Sequence, residues 1–223
     1  MQSKSLAVIG GTGALGRGLA VRALRHGMRV CIGSRAAERA EGVAAELRRE
    51  IAGADVSGAS NAAAAAAGEL IAVTVPFASQ LETLRTIREA AKGKIVIDAT
   101  VPLVPPRVAR VQLPPEGCAA VRAQNELGSD VRVVSAFHTI AAARLGSDAS
   151  AREIGDILVF GDDKPSREVV VALLAQMDLA AFHGGSLANS AATEALTSVL
   201  IFVNKHYGAE HAGLRLIGIG KET

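Results

Sequence analysis

Short runs rich in valine and isoleucine alternate along the first part of the chain with longer segments whose apolar residues recur every three or four positions. Leu6–Gly10, Arg29–Gly33, Leu70–Val75 and Lys94–Asp98 are apolar at consecutive positions and read as strands, with Ala54–Gly58 a weaker one. Leu15–His26, Ala36–Ile51, Asn61–Ala67 and Ala78–Ala91 read as the helices between them. Asn61 stands as a good N-cap ahead of a run of alanine, the best helix former. Strands that are apolar on both faces and separated by helices predict an α/β fold with a doubly wound, mostly parallel sheet covered on each side.

The pattern then changes. Pro102, Pro105, Pro106, Pro114 and Pro115 forbid a long helix and predict a loop excursion after the strand ending at Asp98. Beyond it the chain reads as a helix over Glu116–Leu127, a strand over Arg132–Ala136 and another strand over Asp156–Phe160. A turn through Gly161-Asp-Asp-Lys-Pro165 leads into a helix over Ser166–Met177. Asp162 and Asp163 read as helix caps rather than a metal pair. Ser186–His206 reads as a long helix that is apolar almost all round, so it must be buried in a C-terminal lobe or against a second subunit. Gly213–Ile219 reads as a last strand.

Composition narrows the function. A chain of 223 residues, 49% hydrophobic, can bury one substantial core, or a core and a small second lobe. The net charge of +2, the dispersed lysines and arginines and an aromatic content of 3% argue against nucleic acid as a partner. A short polar lead runs straight into the first strand, with no charged-then-apolar leader and no stretch long enough to span a bilayer, which reads as cytoplasmic. Cys31 and Cys118 are far apart and without metal spacing, as expected of buried small hydrophobes.

The strongest local signal is Gly10-Gly-Thr-Gly-Ala-Leu-Gly16. Gly11, Gly13 and Gly16 have G-x-G-x-x-G spacing between a strand and a helix, where the turn must be tight and a pyrophosphate must approach the backbone. In the first unit of an alternating chain this points to a dinucleotide. An NAD site usually ends its second strand on an acid that holds the ribose 2′-hydroxyl. Here Ser34 and Arg35 occupy that place with Arg39 a turn further on, a hydroxyl and two guanidiniums suited to a 2′-phosphate, and hence to NADP(H). Val75-Pro76-Phe77 and Asp98-Ala-Thr-Val-Pro-Leu103 end the neighbouring strands, where rigid turns can wall a nicotinamide; Asp98 reads as a loop cap before it reads as a catalytic acid.

"GGTGALGRGLA", "IGSRAAERAE", "VPL", "VVSAFHTIAAAR", "FGDD" and "EALTSVLIFVNK" follow one another in an order that resembles the NADPH-dependent reductases of the deazaflavin coenzyme F420 over nearly the whole chain. The resemblance implies a Rossmann domain over residues 1–145 and a small C-terminal α/β lobe over 146–223 that completes the acceptor site and offers a dimer contact. It implies hydride transfer between NADP(H) and coenzyme F420 as co-substrate. It places Thr12, Gly13, Ala14 and Leu15 around the pyrophosphate, and Ser34, Arg35 and Arg39 around the 2′-phosphate. Phe77, Leu81, Leu103 and Ala142 supply further cofactor contacts, while His138, Ile140 and the loop near Ala212 face the deazaflavin. Phe77, Ala141 and Ala212 depart from the family's usual Trp, Pro and larger apolar residue, all on the acceptor side.

Direct hydride transfer between stacked rings depends mostly on proximity and orientation and requires no general base. His138 and Ile140 are therefore the candidate catalytic residues, as a shelf for the acceptor, with the His138 imidazole expected to hydrogen-bond a ring carbonyl or the nicotinamide amide. A reductase of another small acceptor (a flavin, an imine or a metal ion) and a non-catalytic NADP-binding sensor stay open on the residues alone.

Overall fold

The structure is a computed structural model that describes residues 5–219, so the polar lead over residues 1–4 lies outside the described residues. Its strands are β1 (Leu6–Ile9), β2 (Val30–Ser34), β3 (Val56–Ser60), β4 (Leu70–Val73), β5 (Ile95–Asp98), β6 (Arg132–Ser135), β7 (Ile157–Phe160) and β8 (Ala181–Gly185). They form one sheet in the order β3-β2-β1-β4-β5-β6-β7-β8. Pairing is parallel from β3 through β6, antiparallel between β6 and β7, and parallel again between β7 and β8.

Alternate residues of each inner strand feed opposite core layers, which is why these strands are apolar at every position. Leu6 and Val8 of β1 enter one layer with helices α1 (Ala14–Arg25), α2 (Ala37–Glu50) and α8 (Lys164–Gln176). Ala7 and Ile9 enter the other, with α3 (Asn61–Ala67), α4 (Gln80–Ala91) and α5 (Ala119–Leu127). The expected doubly wound sheet is therefore present. Two short helices, α6 (Ala142–Leu145) and α7 (Ala151–Ile154), follow β6, and α9 (Ser190–Tyr207) runs late in the described chain.

Several boundaries differ from the sequence reading. Ser60, not Asn61, caps α3, its Oγ accepting from the Ala63 N–H at 3.3 Å. The helix expected from Glu116 starts at Ala119, capped by the Cys118 thiol. The helix expected from Ser186 begins with a short 3₁₀ turn at Leu187–Asn189 and becomes α-helical at Ser190. Strand β8 was not legible: "AFHGG" has poor strand propensity, yet a β-carbon at Gly184 would lie 2.2 Å from the Phe160 ring. Gly213–Ile219 is not a strand; it touches Asp156 through the Leu214 carbonyl at 2.8 Å and the Leu216 N–H at 2.6 Å and continues no ladder. Asp163 does cap α8, while Asp162 accepts from the Leu187 N–H at 2.9 Å. Both cysteines are buried, unpaired thiols. Helix α9 is not wholly covered, since Val199, Phe202 and Tyr207 are exposed. No helix among the described residues is long and apolar enough to cross a membrane.

Arg22 joins the two halves of the chain. Its guanidinium is buried on α1 and donates to the carbonyls of Met177, Ala149 and Asp178, each at 2.8 Å. Truncation would strand three carbonyl acceptors that lie more than a hundred residues away in sequence. Arg22→Met should cost about 2–4 kcal/mol of folding free energy, because buried carbonyls lose charge-assisted partners. Urea unfolding should show this as a lower midpoint with an unchanged slope; a midpoint within error of the native protein would remove Arg22 as the clasp.

Candidate active site at the carboxyl edge of the sheet

Strands β1 and β4 are neighbours, yet the chain leaves β1 toward one face and β4 toward the other. A crevice opens at such a point, outside the carboxyl ends of the strands. Gly10 turns the chain out of β1 at φ +78°, and Gly13 becomes the N-cap of α1 with no side chain capping the helix. The first turn of α1 contains no acid, and its N-cap Gly13 lines the crevice, so the positive end of the helix dipole is left uncompensated there.

The glycines of this turn serve two separate needs. A β-carbon on Gly16 would lie 2.5 Å from Thr74 Oγ1 and 2.7 Å from the Gly10 carbonyl, and one on Gly11 would lie 2.8 Å from the Val8 carbonyl. These are packing constraints within the protein. At Gly13 the nearest protein atom to a β-carbon would be 3.4 Å away, an ordinary contact, so the protein alone has room for a β-carbon there. A ligand backbone lying against the turn does not, which is the geometry a pyrophosphate requires.

A groove of about 450 Å³ runs from this turn across the ends of β2 and β4, lined by Thr12, Gly13, Ser34, Arg35, Arg39 and Thr74 among others. Ala14 and Leu15 open α1 beside it. Arg35 and Arg39 are exposed and have no acidic partner among the described residues, although many other arginines of the chain are paired. Thr12 and Gly13 of the predicted pyrophosphate residues and all three predicted 2′-phosphate residues thus line one groove. The structure adds Asn61, whose buried Oδ1 has no hydrogen-bond partner and lines the same groove. By sequence Asn61 reads as a helix cap, and its place in the groove lining depends on how the chain folds after β3.

The other predicted cofactor residues are not in the lining of this groove. Phe77 starts a 3₁₀ turn after Pro76, half-buried under the Arg122 guanidinium, 4.3 Å from the ring centroid. Leu81 is in the first turn of α4, and Leu103 follows in the proline-rich loop. Ala142 opens α6, its carbonyl packed against Gly18 of α1. Asp98 ends β5 buried and acts as a loop cap, its Oδ1 accepting from the Thr100 N–H at 3.2 Å and hydroxyl at 2.6 Å, and its Oδ2 from Gln80 at 2.7 Å. Burial pushes its carboxyl up to about 7, against the lowering effect of the Thr100 bond.

His138 lies in a turn that follows β6 and begins with Phe137 at φ +74°. It is 5% exposed, with Nε2 at 3.0 Å from Ser135 Oγ and Nδ1 at 2.9 Å from Thr193 Oγ1. Both ring nitrogens are thus engaged by hydroxyls of the protein, and the hydrogen bond expected from this ring to a bound acceptor has no nitrogen left to make it. Burial pulls the imidazole down to about 3, so it is neutral near pH 7. Thr197 donates to the His138 carbonyl at 2.8 Å, and Ile140 closes the turn through its N–H to Phe137. Ala212 is tied to Asn204 by its N–H at 2.9 Å, which brings the late loop back onto α9.

A dinucleotide groove at a switch point, with guanidiniums where an acid would select NAD, defines an NADP-dependent oxidoreductase of Rossmann type. The family model described as NADP oxidoreductase, coenzyme F420-dependent, matches residues 5–102. The F420-dependent NADP reductase of Methanocaldococcus jannaschii is 35% identical, over 96% of this chain and 98% of that one. The reductase of the same name from Methanothermobacter thermautotrophicus is 38% identical over 97% and 96%. This chain belongs to that family. A crystal structure from Arthrobacter sp. FB24 superposes with a TM-score of 0.78 at 23% identity, covering 97% of this chain and 98% of that one. The fold is also shared with a reductive aminase from Aspergillus terreus, TM-score 0.64 at 21% identity, of whose chain the match covers 63%.

Two outcomes follow from this geometry. Gly13→Ala should cost no more stability than a poorer N-cap does, about 1 kcal/mol, while weakening NADPH binding by about tenfold, which is about 1.4 kcal/mol. Gly16→Ala should lose clearly more stability, its β-carbon meeting Thr74 Oγ1 and the Gly10 carbonyl; equal behaviour of the two variants in melting and NADPH titration would contradict the separation. For Asp98, a folded-state value raised from 3.8 to about 7 means the unfolded chain gives up this proton first, so its contribution to stability falls as pH rises through that window. Removing the group with Asp98→Asn should make stability climb more steeply with pH there than in the native protein, as urea unfolding at several pH values would read. A parallel pair of profiles would place Asp98 near its ordinary value.

Proposed function

We propose that the chain passes a hydride between NADP(H) and the deazaflavin coenzyme F420. The observation that carries this reading is the groove that joins the open backbone at Gly13 to the Ser34, Arg35 and Arg39 cluster, in a chain related to F420-dependent NADP reductases along nearly its whole length. When bound, the nicotinamide and the deazaflavin supply the carbons between which the hydride moves, and a solvent proton completes reduction of the acceptor.

The residues of the chain bind, orient and exclude water. Thr12 through Leu15 present N–H groups to the pyrophosphate, and Arg35 and Arg39 select the 2′-phosphate with Ser34. Gly11 and Gly16 hold the turn in place. Phe77, Leu81, Leu103 and Ala142 supply apolar walls. His138, neutral and internally bonded, holds the turn that carries Ile140, so its part is to shape the shelf rather than to move a proton. Residues 146–223 complete the acceptor side, and the exposed Val199, Phe202 and Tyr207 of α9 support a homodimer. The chain works in the cytoplasm, with neither nucleic acid nor membrane as partner.

The purified protein mixed with NADPH and oxidised coenzyme F420 should show coupled loss of both absorbances, and the reverse with NADP⁺ and the reduced deazaflavin. NADPH loss only with a flavin or an imine would sink this reading, and no turnover with any acceptor would favour a sensor. His138→Ala should slow hydride transfer by about tenfold or more while NADPH affinity stays within about twofold, because orientation is lost and dinucleotide binding is not.

A further inference from the structure

Glu194 is 1% exposed on α9, with no cation among its partners. Its Oε2 accepts from the Ala119 N–H at 2.6 Å, and its Oε1 from the Ala120 N–H at 3.2 Å and the Ser190 hydroxyl at 2.8 Å. It caps the N-terminus of α5 from another helix. Ser190 Oγ lies 2.6 Å from Ser135 Oγ, and Ser135 Oγ 3.0 Å from His138 Nε2. An unbroken buried chain therefore links Glu194 to the turn that carries His138 and Ile140.

We propose that Glu194 is a positioning residue for hydride transfer, which through Ser190 and Ser135 fixes His138 as the Nε2–H tautomer and holds its turn against the strain at Phe137. This rests on the function proposed above. The direction of the chain follows from counting protons. A carboxylate only accepts, so Ser190 spends its one hydrogen on Glu194 and must accept from Ser135. Ser135 then accepts from His138 Nε2–H, which leaves Nδ1 bare to accept from Thr193. Thr193 Oγ1 also lies 3.2 Å from the Ser190 carbonyl, a bond it can take up only if the imidazole turns its proton to Nδ1. Burial raises the Glu194 carboxyl, while the Ala119 and Ala120 N–H groups and the Ser190 hydroxyl favour its charge. Phe137 at φ +74° is costly for a side chain with a β-carbon and persists where its surroundings hold it, here through the His138 ring and the Thr197 bond to the His138 carbonyl.

The test reads the tautomer and the rate separately. In ¹⁵N-histidine protein, long-range ¹H–¹⁵N spectra, assigned by the signals missing in His138→Ala, should show a protonated Nε2 and a bare Nδ1. In Ser135→Ala the Nε2 partner is gone while Thr193 can still accept, so His138 should carry its proton on Nδ1, with the Thr193 hydroxyl turned to the Ser190 carbonyl. Ser190→Ala keeps the α5 cap but cuts the chain, so both tautomers should appear and hydride transfer should fall by about tenfold with NADPH affinity unchanged. An unchanged, single Nε2–H tautomer in Ser190→Ala, or in Ser135→Ala should the first variant not fold, would overturn the assignment. A native transfer rate in Ser190→Ala would overturn the positioning role. The spectra need no acceptor, so they stand even if coenzyme F420 proves not to be the co-substrate.

Discussion

The turn between β1 and α1 passes so close to the ends of β1 and β4 that hydrogen is the largest group Gly16 can carry, 2.5 Å being all that a β-carbon would have before Thr74 Oγ1. That close approach aims the N-terminus of α1 at the crevice between two strands whose connections diverge. The positive end of the helix, the bare backbone at Gly13 and the hydroxyl and guanidiniums at the end of β2 then all face one groove.

The second half of the chain is bound to this platform from two directions. Arg22 reaches out of α1 to carbonyls of Ala149, Met177 and Asp178, which joins the segments after β6 and after α8 to the first helix. On the opposite face α9 sends Glu194 to the N-terminus of α5 and Thr197 to the His138 carbonyl. Both clasps use a buried polar side chain with several hydrogen-bonding atoms to collect orphan backbone groups, which an apolar side chain could not do. The turn carrying Ile140 is thereby held by parts of the chain that are far from it in sequence.

The alternating strands and helices of the first half could be read directly, because a parallel sheet with both faces covered demands apolar residues at every strand position. The dinucleotide turn was readable for the same local reason: glycine spacing and the missing acid after β2 are properties of a short segment. β8 was hidden, since "AFHGG" is shaped by the Phe160 ring it must clear and by its place at a sheet edge. Gly213–Ile219 showed the strand pattern and met Asp156 instead of a ladder.

Sequence alone determined the fold class, the nucleotide turn and the preference for a 2′-phosphate, because each depends on neighbours a few residues apart. Only the tertiary structure decided what surrounds His138. In sequence it stands without a charged or basic neighbour, while in space its two nitrogens meet hydroxyls from β6 and α9 and a carboxylate lies two serines away. Ser190 and Thr193 are 55 residues from their partners Ser135 and His138, and no local pattern records a hydrogen bond that only packing creates.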